Sequence, residues 1–150
     1  MYPALFSKLS ASSFFKGFHP FYEKHTNRPG VSIDQTGNNK NIAIGSNGND
    51  QIRQTGIGSL MFALGLNGRD RFEVNGQDNV GALRGGNGND TFKINAESGF
   101  YKVSGGGGFD TLSLAGEAND WKRSGHTLHN ESTGTTVIAS GIERIVCTLA

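Results

Sequence analysis

The chain has a single cysteine, Cys147, which excludes an internal disulfide and a cysteine-built zinc site and leaves a free or buried thiol. It has no apolar run approaching the ~18 residues of a membrane-spanning helix. Lys and Arg do not cluster, and a formal net charge of +1 gives no footing for nucleic acid or another polyanion. The N-terminal stretch does not read as a signal peptide, because Leu5-Phe6 is followed at once by Ser7 and Lys8. Catalytic signatures are missing too: no glycine-rich segment ends in the Gly-Lys-Ser/Thr of a phosphate loop, and no Gly-x-Ser-x-Gly elbow occurs. His126 and His129 lie three apart in a predicted strand, on opposite faces, and His19 and His25 flank Pro20 in a stretch expected to be solvated. Neither pair reads as a metal site, and the chain is expected not to be an enzyme.

What is abundant is glycine, 23 residues in 150, and it is periodic. Asp50, Asp70, Asp90 and Asp110 recur every 20 residues, each closing a hexapeptide: Gly45-Ser-Asn-Gly-Asn-Asp50, Gly65-Leu-Asn-Gly-Arg-Asp70, Gly85-Gly-Asn-Gly-Asn-Asp90 and Gly105-Gly-Gly-Gly-Phe-Asp110. A single such cluster would read as an ordinary turn. Four in register read as a solenoid, with one coil per repeat and one carboxylate per coil.

Coils stacked at the strand spacing of about 4.8 Å place the four carboxylates in a ladder. Adjacent charges at that distance repel by roughly 1 kcal/mol in water and several-fold more inside a protein. Arg53, Arg69, Arg71 and Lys93 form no repeating basic column that could neutralise them. A cation can, and oxygen-only donors in a tight glycine turn suit calcium, which tolerates carbonyls in irregular geometry. The candidate ligands are the four aspartates with the loop residues Gly45, Asn47, Gly48, Gly65, Asn67, Gly68, Gly85, Asn87, Gly88, Gly105, Gly107 and Gly108.

Gly85-Gly-Asn-Gly-Asn-Asp-Thr-Phe-Lys and Gly105-Gly-Gly-Gly-Phe-Asp-Thr-Leu-Ser resemble the GGxGxDxUx repeat of RTX, haemolysin-type calcium-binding proteins. The first two copies carry Ser46 and Leu66 in place of the second glycine, and the period is 20 residues rather than the family's usual nine. The other half-coils, around Thr55-Gly56-Ile57, Asn75-Gly76-Gln77-Asp78 and Ala96-Glu97-Ser98, keep no acidic column, so calcium is expected along one edge only. The resemblance implies a parallel β-roll with metal between consecutive loops, held by Asp side chains and Gly-loop carbonyls. Four loops then give about three sites. It also implies a secreted, extracellular protein, exported by a type I secretion system.

Each Asp is followed by an x-apolar-x-apolar stretch, so Ile52, Phe72, Val74, Phe92, Ile94, Leu112 and Leu114 are expected inward, with Gln54 interrupting the column and Arg53, Glu73, Lys93 and Ser113 outward. Leu60, Val80 and Phe100, with Ala63, Leu83 and Val103, are read as the opposite wall. Val31-Ser-Ile33 and Ile42-Ala-Ile44 read as a slightly longer starting coil. The fold class is all-β: a β-solenoid of about four 20-residue coils over residues 30–116, a β-meander cap over 117–150, and an aromatic-rich arm or capping helix over 1–29. The expected function is a non-catalytic calcium-binding module that folds on meeting extracellular calcium. The alternatives are a non-catalytic part of a polysaccharide-active β-helix enzyme, or an adhesin with Tyr101, Phe109 and Trp121 as candidate glycan or surface contacts.

Overall fold

The computed structural model describes residues 30–149, so the expected N-terminal arm lies outside the described residues. The repeats fold as a parallel β-solenoid of about four turns, each turn contributing one strand to each of two sheets. The first sheet takes β1 (Ser32–Thr36), β3 (Gln51–Thr55), β5 (Arg71–Gly76), β7 (Thr91–Ala96) and β9 (Thr111–Ala115). The second takes β2 (Lys40–Ile44), β4 (Leu60–Asn67), β6 (Asn79–Asn87) and β8 (Gly99–Gly107). Phe72 pairs with Phe92 and Leu60 with Val80, so the 20-residue sequence period is the register of the ladder. The first coil departs from it: Ser32 lies opposite Gln51, which makes that coil one residue shorter than the repeat, not longer.

The inward column of the first sheet is as the alternation requires. Ile33, Ile52, Phe72, Phe92 and Leu112 are buried, and the Phe72 and Phe92 rings stack with centroids 4.7 Å apart, one rung spacing. Gln54 is buried in the next column, where its Oε1 accepts a 2.8 Å hydrogen bond from Asn41 Nδ2 across the coil.

The second sheet corrects the sequence reading. Strands β4, β6 and β8 run unbroken through both proposed positions, and residues three apart in a strand face opposite sides. Ala63, Leu83 and Val103 point inward, and with them Met61, Gly81 and Tyr101. Leu60, Val80 and Phe100 therefore face out, 48, 46 and 44 % exposed, and with Ile42 and Phe62 they form an apolar stripe on the outer surface. Tyr101, a candidate surface contact by sequence, is instead a core residue. It fills the space over Gly81, where a Cβ would come 2.9 Å from its Cδ1.

Beyond β9, a 3₁₀ turn (Ala118–Asp120) leads into β10 (Trp121–Ser124), β11 (Thr127–Asn130) and β12 (Thr136–Ser140), which pair antiparallel as a meander. The meander then rejoins the stack. β12 pairs in parallel with β8, and β13 (Arg144–Thr148) pairs in parallel with β9, so the last two strands make a further coil. Ile145 and Cys147 lie in register with Leu112 and Leu114, which are fully buried, and Trp121 Nε1 donates to Ala115 O at 3.0 Å. No α-helix occurs among the described residues.

Candidate metal centre

The four hexapeptides occupy one edge of the stack, each joining a second-sheet strand to the next first-sheet strand. The backbone there turns tightly: Gly68, Gly88 and Gly108 have φ of +117, +128 and +128°, which glycine adopts without a Cβ penalty. Leu66 holds φ +88° as a non-glycine residue at a position where the later copies have Gly86 and Gly106.

All four aspartates are at most 2 % exposed and form a single file. Oδ1 of Asp70 accepts from the backbone N–H of Asp50, that of Asp90 from Asp70 and that of Asp110 from Asp90, each at 2.8 Å. The file starts at Val31, whose N–H donates to Asp50 Oδ1 at 2.7 Å. Half of every carboxylate is thus used to join one coil to the coil before it.

The other half differs along the file. Asp50 Oδ2 accepts the N–H of Ser46, and the Ser46 hydroxyl donates to Asp50 Oδ1 at 2.8 Å, so the first carboxylate is satisfied within its own loop. Oδ2 of Asp70, Asp90 and Asp110 is buried without a hydrogen-bond donor. Each lies over the first glycine of its own hexapeptide. A Cβ on Gly65 would run into Asp70 Oδ2 and come 2.6 Å from the Gly85 carbonyl oxygen; on Gly85 it would run into Asp90 Oδ2 and come 2.7 Å from the Gly105 carbonyl oxygen. The missing side chain leaves a cradle where a carboxylate oxygen and a carbonyl oxygen from the next coil meet, two acceptors with no proton donor between them.

Burial is the main reason these carboxyls hold their protons more tightly than usual. Asp70 is pushed up to about 7, with the neighbouring Asp50 and Asp90 charges adding to burial and the Asp50 N–H opposing it. Asp90 and Asp110 are raised for the same reason, burial first, with the charges of Asp110 and Glu143 respectively adding. A cation between the two oxygens would offset that burial by favouring the ionised carboxylate.

The oxygen-only cradle fits a hard cation such as calcium, with Asp70, Asp90 and the Gly85 and Gly105 carbonyls as the residues that would hold it. The asparagines stand apart: Asn67 Nδ2 donates to Asn47 Oδ1 at 2.7 Å and Asn87 Nδ2 to Asn67 Oδ1 at 2.9 Å, an exposed amide ladder that ends at Gly107. The carbonyls of Gly48, Gly68 and Gly88 lie against the Cα of Gly68, Gly88 and Gly108, packing loop on loop. Among the described residues no three His, Cys, Asp or Glu side chains converge on one point; the acids are a file, not a cluster. The opposite edge has no carboxylate file among the described residues: Ser59 N–H donates to Asn79 Oδ1 at 2.8 Å, Asn95 Nδ2 to Asn75 Oδ1 at 3.2 Å, and the two acids there, Asp78 and Glu97, are exposed single acceptors of Ser98 and Gln77. Of the aromatic candidates for surface contact, Phe109 is exposed and Trp121 packs on the core.

Sequence reasoning missed Glu143. It comes after Asp110 in the file, its Oε2 accepting the Asp110 N–H at 2.7 Å. Its 33-residue separation and its different side chain hid it; the glycine two residues earlier, Gly141, was the available signal.

Fold and site together define a β-solenoid with a buried carboxylate file along one edge. No family model, no curated protein and no solved structure matches the chain. No described helix is long and apolar enough to cross a membrane.

Proposed function

We propose that this chain is a non-catalytic calcium-binding module of RTX type whose coils are completed by cations between consecutive hexapeptides. The observation that carries the reading is the buried, donorless Oδ2 of Asp70 and of Asp90, each meeting a carbonyl oxygen of the next coil. An ionised carboxylate left unpaired in such a place costs several kcal/mol. The serine at position 46 closes the first inter-loop cradle with its own N–H, so calcium belongs beside Asp70 and Asp90. Bound there, calcium supplies the positive charge that the side chains do not. At ten times its dissociation constant it stabilises the fold by about 1.4 kcal/mol per site. Sites of roughly 10⁻⁴–10⁻³ M fill only at extracellular calcium, which favours a secreted protein, with type I export implied by the resemblance.

Calorimetric titration at neutral pH tests this reading. Calcium is expected to bind, magnesium to bind more weakly, and Asp70→Asn and Asp90→Asn each to remove one site. Absence of any calcium heat or stabilisation at millimolar concentration would overturn it. The exposed stripe of Leu60, Val80, Phe100, Ile42 and Phe62 favours a second role as a scaffold that docks a surface, a glycan or a larger polysaccharide-active protein. A glycan and polysaccharide binding screen tests that role.

A further inference from the structure

The third donorless carboxylate oxygen, on Asp110, has no hexapeptide after it. The next layer of the stack is supplied by the cap: β12 and β13 continue the two sheets, and the loop between them, Gly141-Ile142-Glu143, lies where a fifth hexapeptide would. The correspondence holds at three contacts. Glu143 Oε2 accepts the Asp110 N–H at 2.7 Å, as Asp110 Oδ1 accepts that of Asp90 at 2.8 Å. The N–H groups of Glu143 and Arg144 donate to Asp110 O at 3.2 and 3.1 Å, as Thr111 N–H donates to Asp90 O at 2.9 Å. The Gly141 carbonyl oxygen stands over Gly105 beside Asp110 Oδ2, as the Gly85 carbonyl stands over Gly65 beside Asp70 Oδ2.

Resting on the calcium reading, we propose that Glu143 is the last rung of the carboxylate file, and that Asp110 Oδ2 and the Gly141 carbonyl form a terminal divalent-cation site completed by the cap, with the Glu143 carboxylate, held by the Asp110 N–H, adding its charge beside it. A second observation is independent of the acidic pair: Asp110 is fully buried, and its Oδ2, with no donor, is aimed at the Gly141 carbonyl. Glu143 itself is exposed, so this site opens to solvent at the end of the stack while those beside Asp70 and Asp90 are enclosed by coils on both sides. The cap is then a participant in binding.

Equilibrium dialysis of the full chain against calcium, with the metal counted by atomic emission, tests the proposal. Wild type is expected to hold three ions. Glu143→Gln, which keeps an oxygen to accept the Asp110 N–H but loses the charge, is expected to weaken one site at least tenfold and leave two unchanged, with the metal-free melting midpoint unlowered. Asp110→Asn is expected to lose the same ion, and the double variant no more than either alone. A Glu143→Gln protein that still holds three ions at wild-type affinity, or a double variant that loses two, would overturn the terminal site while leaving the inner sites standing. Wild type that holds no calcium would bring down both readings together.

Discussion

At Gly85 the structure leaves no room for a single methyl group. Its Cβ would collide with Oδ2 of Asp90, a carboxylate held in place by the Asp70 N–H, and lie 2.7 Å from the Gly105 carbonyl oxygen. Gly58 is a useful contrast, with φ +64° but open space around its Cβ, so Gly58→Ala carries only the left-handed backbone cost of roughly 1 kcal/mol. Gly85→Ala is expected to cost several kcal/mol. Urea unfolding of the two variants, with calcium present, checks this; equal losses would mean that the cradle over Gly85 relaxes freely. The repeated first glycine was legible in the sequence as backbone freedom, yet its φ is ordinary. The need is steric: glycine is there so that a carboxylate can lie flat over its Cα. Sequence periodicity marks such a position without saying which of glycine's two properties is being used.

Among the elements, β3, β5, β7 and β9 of the first sheet could be read from sequence because each starts immediately after an Asp that fixes its phase. Those of the second sheet could not. The turn between Thr55 and Leu60 does not set the parity of β4, and Leu60-Met61-Phe62-Ala63-Leu64 is apolar at every position, so nothing in it showed that Leu60 and Ala63, read together as one wall, face opposite sides, with Met61 rather than Leu60 beside Ala63 in the core. Gly81 and Tyr101 compensate one another in size across neighbouring rungs, which column-by-column hydrophobicity does not show. Polar pairing in the first coils was also hidden. Asn41 and Gln54 are both buried and bonded to each other, so removing one strands the other. Asn41→Leu or Gln54→Leu alone is expected to cost about 1–3 kcal/mol, and the double replacement distinctly less than the sum of the two. A double-mutant cycle by chemical denaturation measures this; strictly additive losses would show that the pair contributes nothing as a pair.

Over the whole molecule, the calcium reading proposed above would join stability and metal binding through the carboxylate file, because each Asp both ties its coil to the previous one and meets an oxygen of the next. In a solenoid every coil rests on its neighbours, so a charge left unneutralised at one rung weakens the stack on both sides. The pH dependence has a definite sign. Asp70 holds its proton up to about 7 in the folded chain against an ordinary value of 3.8, and Asp90 and Asp110 shift the same way. Between those limits the folded state binds more protons than the unfolded one, so metal-free stability is highest on the acid side and falls as pH rises through about 7. On the proposed reading calcium replaces the lost proton, and its stabilising effect is expected to grow over the same range. The melting midpoint of metal-free and calcium-saturated protein, compared from about pH 5 to about pH 8, measures this directly. The two curves are expected to lie close together at the acid end and to separate as pH rises toward about 7, the metal-free midpoint falling until Asp70 is ionised and then levelling, while the calcium-bound midpoint holds or rises. A metal-free midpoint that does not fall with pH, or a calcium effect as large at pH 5 as at pH 8, would contradict the account.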